Sequence, residues 1–290
     1  MYQVTLIGAP NQERLNMSVL DSLRHAWGGG DAVWLAHAEA AEFPIETVLS
    51  NQWQVWQDFQ NIGIDMIVQP SPGRRKKMLL ADMDSTMIQQ ECIDQLADEA
   101  GVGDRVKEIT ARAMNGELDF EAALDERVAL LAGQPASIID KVLKERIKFM
   151  PGGRILIATM KARGAYTALV SGGFTAFTHK VADTLGFDEH HANTLLVDGD
   201  KLSGKVARPI LGREAKVEQL EKITAKLRLS ENDVIAVGDG ANDLGMLGRV
   251  GTGVALHAKP AVQAECDVRV NHGDLTALLF LQGYSMDEFC

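Results

Sequence analysis

The chain has 290 residues, 29 of them Lys or Arg and 40 Asp or Glu, a formal net charge of −11. With 46% hydrophobic and 24% charged residues it has a globular composition and length enough for about two domains, which excludes a disordered, collagenous or fibrous chain. The acidic balance argues against nucleic acid as a partner, and no apolar run reaches the roughly 18 residues of a membrane span. The amino-terminal stretch has no basic segment leading into a long apolar one, as a secretory signal would. Cys92, Cys266 and Cys290 are widely spaced, form no C-x-x-C pair and suit a reducing compartment, so a cytoplasmic protein is expected.

In chain order, residues 1–70 predict a small α+β domain. It has a strand over 4–9, a helix over about 13–27 stopped by three glycines, and an extended stretch near 31–45. A helix over 46–61, on which Trp53, Val55, Trp56 and Phe59 form a core face, leads into a strand over 64–68. Two prolines and a glycine then break the chain, and Arg74, Arg75, Lys76 and Lys77 read either as an anion patch or as a solvated basic linker over 71–77. A strand over 77–81 precedes a helical region, 90–148, that carries no strand signal. Alternation then follows: helix 152–163, strand 166–170, helix 175–185, a hairpin about Asp198-Gly199-Asp200, helix 213–228, strand 234–238, helix 241–248, strand 252–256 and helix 274–282. Repeated βα units predict an α/β core, a Rossmann-like doubly wound parallel sheet over 78–88 and 149–290, with the helical block 89–148 inserted after its first strand.

In such sheets ligands bind beyond the carboxyl ends of the strands, and three of these ends carry chemistry. Asp82 and Asp84, two apart on an extended segment, point to one side. One carboxylate suits nucleophilic attack on phosphorus and the other general acid–base work; the same residues also read as an Asx-rich helix start with Asp84 or Ser85 as N-cap. Ser171-Gly172-Gly173-Phe174 offers a hydroxyl and backbone N–H groups to an anion, or is a glycine turn with a serine cap. Asp239-Gly240-Ala241-Asn242-Asp243 places Asp239 at a strand end with Asp243 in support, and with Asp82 it makes an oxygen-rich set suited to Mg²⁺. Lys216 reads by itself as a solvated helix lysine, whereas phosphoryl transfer needs such a cation. No G-x-x-x-x-G-K-[ST] loop is present.

Together these residues resemble the haloacid dehalogenase superfamily of phosphohydrolases. Asp82-Met83-Asp84-Ser85-Thr86 matches its first motif, Ser171 its second, Lys216 its third and Gly238 to Asp243 its fourth. The similarity is greatest to its phosphoserine phosphatases, through Glu91-Cys92-Ile93-Asp94, Arg112-Ala113-Met114, Gly116 to Phe120 and Arg127-Val128 as well, over about residues 76–282. The resemblance implies a Mg²⁺-dependent enzyme that hydrolyses O-phospho-L-serine through an aspartyl-phosphate, the last step of L-serine biosynthesis. It makes Asp82 the nucleophile and Asp84 the acid–base. Asp82, Asp84 and Asp239 become metal ligands, Ser171, Gly172, Lys216 and Asn242 phosphoryl contacts, and Asp243 a support. The helical insert becomes a cap in which Glu91 pairs the substrate ammonium and Arg127 its carboxylate, walled by Met114 and Phe120. Some relatives carry an ACT-like or ferredoxin-like N-terminal module, which the first 70 residues allow, with a homodimer through that module as one reading. The partners expected are a small phosphomonoester, no nucleic acid and no membrane. Two other readings stand beside this one: a phosphatase for another small ester such as phosphohomoserine, and a receiver-like module in which phosphorylated Asp82 is a signal.

Overall fold

The computed structural model describes residues 1–114 and 117–290, Met114 for its backbone alone. By internal contacts the chain divides into two compact units: Met1–Leu80 with Pro151–Thr167 and Thr224–Cys290, and Ala81–Met150 with Ala168–Ile223.

The first unit opens with β1 (Tyr2–Gly8), α1 (Met17–Ala26), β2 (Val33–Ala36), β3 (Ala40–Ile45), α2 (Gln52–Asn61) and β4 (Ile64–Pro70). These strands form an antiparallel sheet in the order β2-β3-β1-β4, with Val4 opposite both Phe43 and Val68. The expected extended stretch is thus two strands, paired as a hairpin. Asn16 caps α1, its Oδ1 accepting from the Val19 N–H at 3.1 Å, and Leu20 and Leu23 are buried in the core cluster that also holds Leu6 and Phe43. On α2, Phe59 is buried and Val55 and Trp56 pack against the core as expected. Trp53 does not: it is 40% exposed, and its ring lies 3.9 Å from the Arg269 guanidinium. A helix stripe that faces a cation rather than apolar atoms places an indole at the surface as readily as in the core.

The basic run is exposed at Arg75 and Lys77 yet paired along its length. Arg74 pairs with Glu42 at 2.6 Å, Arg75 with Glu288 at 3.0 Å and Lys77 with Asp233 at 2.9 Å, while Lys76 Nζ donates to the Asn232 carbonyl at 2.9 Å. Acids far away in sequence meet each arginine, which no local pattern reports.

Next come β5 (Met78–Ala81) and four helices: α3 (Cys92–Glu99), α4 (Gly103–Met114), α5 (Phe120–Ala129) and α6 (Ile138–Glu145). α7 (Gly153–Ala162), β6 (Tyr166–Phe174), α8 (Thr175–Leu185) and β7 (Glu189–Asn193) follow. The β8 (Leu195–Asp198)–β9 (Lys201–Val206) hairpin then leads to α9 (Arg213–Leu227) and β10 (Val234–Gly238). The chain closes with α10 (Leu244–Leu247), β11 (Thr252–Leu256), α11 (Pro260–Ala264), β12 (Val268–Val270) and α12 (Ala277–Leu281). A six-stranded sheet has the order β12-β11-β10-β5-β6-β7, and its β10–β11, β11–β12 and β6–β7 ladders run parallel. MLLA of β5 and VIAVG of β10 are buried throughout, as continuous apolar strands under helices on both faces must be. β7, α11 and β12 were not expected from the sequence.

Within the first unit the N-terminal sheet is fixed to the loop after β12 by one buried carboxylate. Asp65 of β4 is fully buried and accepts three backbone N–H bonds, from Asn271 and His272 at 2.9 Å and from Gly273 at 2.8 Å. Three converging N–H groups replace the water that an ionised carboxylate loses. Asp65→Ala leaves those donors unpaired and is expected to lower the unfolding free energy by about 3 kcal/mol, read by urea denaturation; a loss below about 0.5 kcal/mol, the level of a neutral surface change, shows that the clamp does not stabilise the fold.

Candidate active site

The second unit begins where β5 ends. Asp82 leaves the strand buried, and its Oδ1 lies 2.8 Å from Lys216 Nζ. Lys216, in the first turn of α9, is completely buried, so the solvated-lysine reading falls. Removing either partner would break a buried ion pair.

Asp84 stands two residues on. Its Oδ1 accepts from the Cys92 N–H at 3.0 Å and so satisfies the open start of α3. The reading of Asp84 or Ser85 as an N-cap is not borne out: no helix starts at either, and the N-cap of α3 is Glu91, although the Asp84 carboxylate meets the first N–H of that helix. Burial raises its carboxyl pKa from 3.8 to about 7, and Glu91 adds to the rise; the Cys92 N–H and Lys216 pull the other way. Such a group is part protonated at neutral pH, as an acid–base catalyst must be. Directly after Asp84, Ser85 takes a left-handed backbone, φ 54°, and its Oγ donates to Glu91 Oε1 at 2.7 Å.

β6 continues through Ser171, Gly172 and Gly173 to Phe174, four residues beyond the expected end. Ser171 is buried, and its Oγ accepts from the Gly173 N–H at 2.9 Å, which keeps the hydroxyl proton as a donor. A Cβ on Gly173 would lie 2.5 Å from Asp84 Oδ2, so only glycine lets this strand end approach that carboxylate. A Cβ on Gly172 would meet the Phe120 ring at 3.2 Å, which places Phe120, the first residue of α5, over the Ser171 loop.

On the helical insert, Arg127 is half-buried with its Nε donating to the Ala123 carbonyl at 3.1 Å. Burial lowers its pKa, and the carboxylates of Asp94 and Glu91 oppose that. Asp94 is in turn raised by burial and by Glu91. The insert thus brings Glu91, Asp94 and Arg127 within electrostatic reach of each other; the sequence reading had missed Asp94. The side chain of Met114 lies outside the described residues. Asn193 and Ser85 were also missed, the one for want of any motif, the other read only as an alternative helix cap.

In the first unit, Asp239 and Asn242 are half-buried on the loop after β10. Asp243 is fully buried, and its Oδ2 accepts from the Gly240 N–H at 3.0 Å. This bond shapes the loop that presents Asp239, and the expected helix over 241–248 begins at Leu244 as the short α10.

The chain belongs to the haloacid dehalogenase-like hydrolase family, which matches residues 79–248. Within that family it is 44% identical over 204 residues to the phosphoserine phosphatase of Lactococcus lactis, covering 70% of this chain and 94% of the relative. Two other curated relatives are matched over 58% and 65% of their own length, so the chain spans less than two thirds of each. Among solved structures, a family hydrolase from Salmonella enterica serovar Typhi superposes with a TM-score of 0.87 at 28% identity, covering 97% of this chain and 98% of that one. A structure described as a phospho-aspartyl intermediate analogue of phosphoserine phosphatase has a TM-score of 0.66 at 41% identity, covering 71% and 98%.

The raised pKa of Asp84 is a stability statement. Its folded pKa of about 7 lies above the ordinary 3.8, so the native state holds the proton more tightly. The contribution of this group to stability is greatest below the unfolded value, falls as pH rises from 4 to 7 and is lost above 7. In metal-free protein Asp84→Asn removes that loss, and the melting temperature is expected to rise by about 5 °C at pH 8 and by less at pH 5. Thermal unfolding after chelation reads it; equal shifts at both pH values contradict the assignment.

Proposed function

We propose that the chain is a phosphatase that hydrolyses O-phospho-L-serine to L-serine and phosphate through a phosphorylated Asp82. The observation that carries the reaction class is the buried Asp82–Lys216 pair, with Asp84, a carboxyl poised near neutrality, two residues along. The likeness to phosphoserine phosphatases supports the substrate.

In this reading the phosphoryl group sits against Ser171, which donates its hydroxyl proton, and Lys216, which offsets the negative charge of the phosphoryl oxygens. An Asp82 carboxylate oxygen bonds to phosphorus as the bond from phosphorus to the seryl oxygen breaks. The Asp84 carboxyl gives its proton to that departing oxygen, so serine leaves neutral at its hydroxyl. Water then attacks phosphorus with Asp84, now a carboxylate, taking its proton. Phosphate departs, Asp82 is restored, and Asp84 ends protonated as it began. Asn242 contacts the phosphoryl group or the attacking water, and the Gly172 N–H adds a donor. In the insert Glu91 takes the substrate ammonium, the Arg127 fork takes its carboxylate, and Phe120 keeps water out.

A family-typical divalent cation fits the residues available. The resemblance assigns it to the Asp82 and Asp239 carboxylates and the Asp84 backbone carbonyl, with Asp243 in support, an all-oxygen donor set that suits a hard ion such as Mg²⁺. When bound, the cation would neutralise charge on the phosphoryl oxygens. Among the described residues no helix is long and apolar enough to cross a membrane.

Two measurements test this reading. Phosphate release from a panel of phosphomonoesters is expected to favour phosphoserine over phosphothreonine, phosphohomoserine and sugar phosphates, and to stop with EDTA; Asp82→Asn is expected to lose roughly 10³-fold or more of the rate while still folded. Near-normal turnover by that variant removes Asp82 as nucleophile. Arg127→Ala is expected to lose about 10–100-fold in kcat/KM on phosphoserine and little on an aryl phosphate; equal losses on both contradict a carboxylate clamp.

A further inference from the structure

The β6–β7 ladder is regular from Ala168↔Glu189 to Val170↔His191 and resumes at Phe174↔Asn193. Between those points β6 has three residues, Ser171, Gly172 and Gly173, and β7 has one, Ala192. The bulge removes ladder bonds at the loop that carries the phosphoryl-binding hydroxyl. A backbone so freed must find other partners or cost stability.

Asn193 supplies them. Its side chain is buried, and its Nδ2 donates to the Gly172 carbonyl at 2.9 Å and to the Leu211 carbonyl at 3.1 Å. Its Oδ1 accepts from the Leu211 N–H at 2.7 Å. The first of these bonds fixes one peptide plane. In the trans peptide from Gly172 to Gly173 the carbonyl and the N–H point opposite ways, so holding one aims the other. That aimed N–H, of Gly173, is the donor to Ser171 Oγ. The other two bonds hold residue 211, one before Gly212, whose carbonyl accepts the first helical bond from the Lys216 N–H at 3.3 Å. One buried amide thus ties the loop of Ser171 to the start of the helix of Lys216.

We propose that Asn193 is a positioning residue for the phosphoryl-binding pair, setting the orientation of the Ser171 hydroxyl and the placement of Lys216. This rests on the phosphatase reading above. Asn193 touches no reacting atom; it acts through the Gly172–Gly173 peptide and through Leu211. The phosphate moiety is common to all substrates, so a defect here falls on every ester alike, unlike a defect in Arg127.

The test is inorganic phosphate as competitive inhibitor, with kcat and KM on phosphoserine and an aryl phosphate, at a temperature where near-UV circular dichroism shows each variant folded. Asn193→Ala and Asn193→Ser are compared with wild type. Gln282→Ala is the control, since Gln282 is another buried amide, bonded to Lys76 and Leu278. Asn193→Ala is expected to weaken phosphate inhibition about 10-fold and to reduce kcat/KM equally on both esters. Asn193→Ser, which keeps a donor, is expected to fall between it and wild type. Gln282→Ala is expected to lose stability and leave the phosphate constant unchanged. Phosphate inhibition within twofold of wild type in both Asn193 variants overturns the proposal, as does failure of both to fold, which would make Asn193 a residue of the fold alone. If wild type itself neither binds phosphate nor turns over either ester, the phosphatase reading falls and this inference with it; if wild type does both, only the inference is at stake.

Discussion

A lysine with no exposed surface needs an anion within reach, and this constraint organises the second unit. Lys216 meets that need at Asp82, 2.8 Å away. For the pair to form, β5 has to end at Asp82 and α9 has to start within a turn of Lys216. Charge compensation therefore couples two chain segments more than a hundred residues apart. In the proposed reaction it leaves a cation that meets the phosphoryl group without a solvent shell to strip away, which is where electrostatic stabilisation is strongest.

Around that pair the chain uses small residues and side-chain acceptors to bring backbone close to charge. Gly173 gives way to Asp84, and Asp84 reaches forward to the first N–H of α3, that of Cys92. Ser85, in its left-handed conformation, ties Glu91 to the same turn. The start of the insert is thus held by the turn that follows Asp82. A shift of α3 would move the Asp84 carboxyl, and a change of charge on that carboxyl would be felt at the start of α3.

How much of this the sequence disclosed depends on distance along the chain. Asp82, Ser171 and Asp239 were legible because each follows a buried apolar run at once, and a parallel sheet puts such positions at one end. Lys216 lies on a helix as rich in charge as any surface helix, REAKVEQLEKITAKL, and only family resemblance singled it out. β7 was not legible: EHHAN has no apolar alternation, because its side chains meet histidines, a threonine and backbone carbonyls rather than a uniform core. β12 is three residues long, too short for any period. Arg74 read as solvated because its partner, Glu42, lies on another strand, and Asp65 gave no signal because its ligands are backbone N–H groups, which every residue has. Contacts within a few residues can be read from spacing. Contacts that close long loops follow from packing.

The six-stranded sheet has two ends, and the fold treats them differently. At one end, β12 is three residues long and lies alongside β4, with Asp65 holding the loop that follows it. At the other, β7 is five residues of Glu, His, His, Ala and Asn. Unpaired strand edges invite other strands to join them, and proteins deter this by shortening an edge, covering it or lining it with polar and ionisable side chains. All three devices are present here, one end short and flanked, the other short and polar. The polarity that hid β7 from sequence reading is thus also a guard against sheet-to-sheet aggregation.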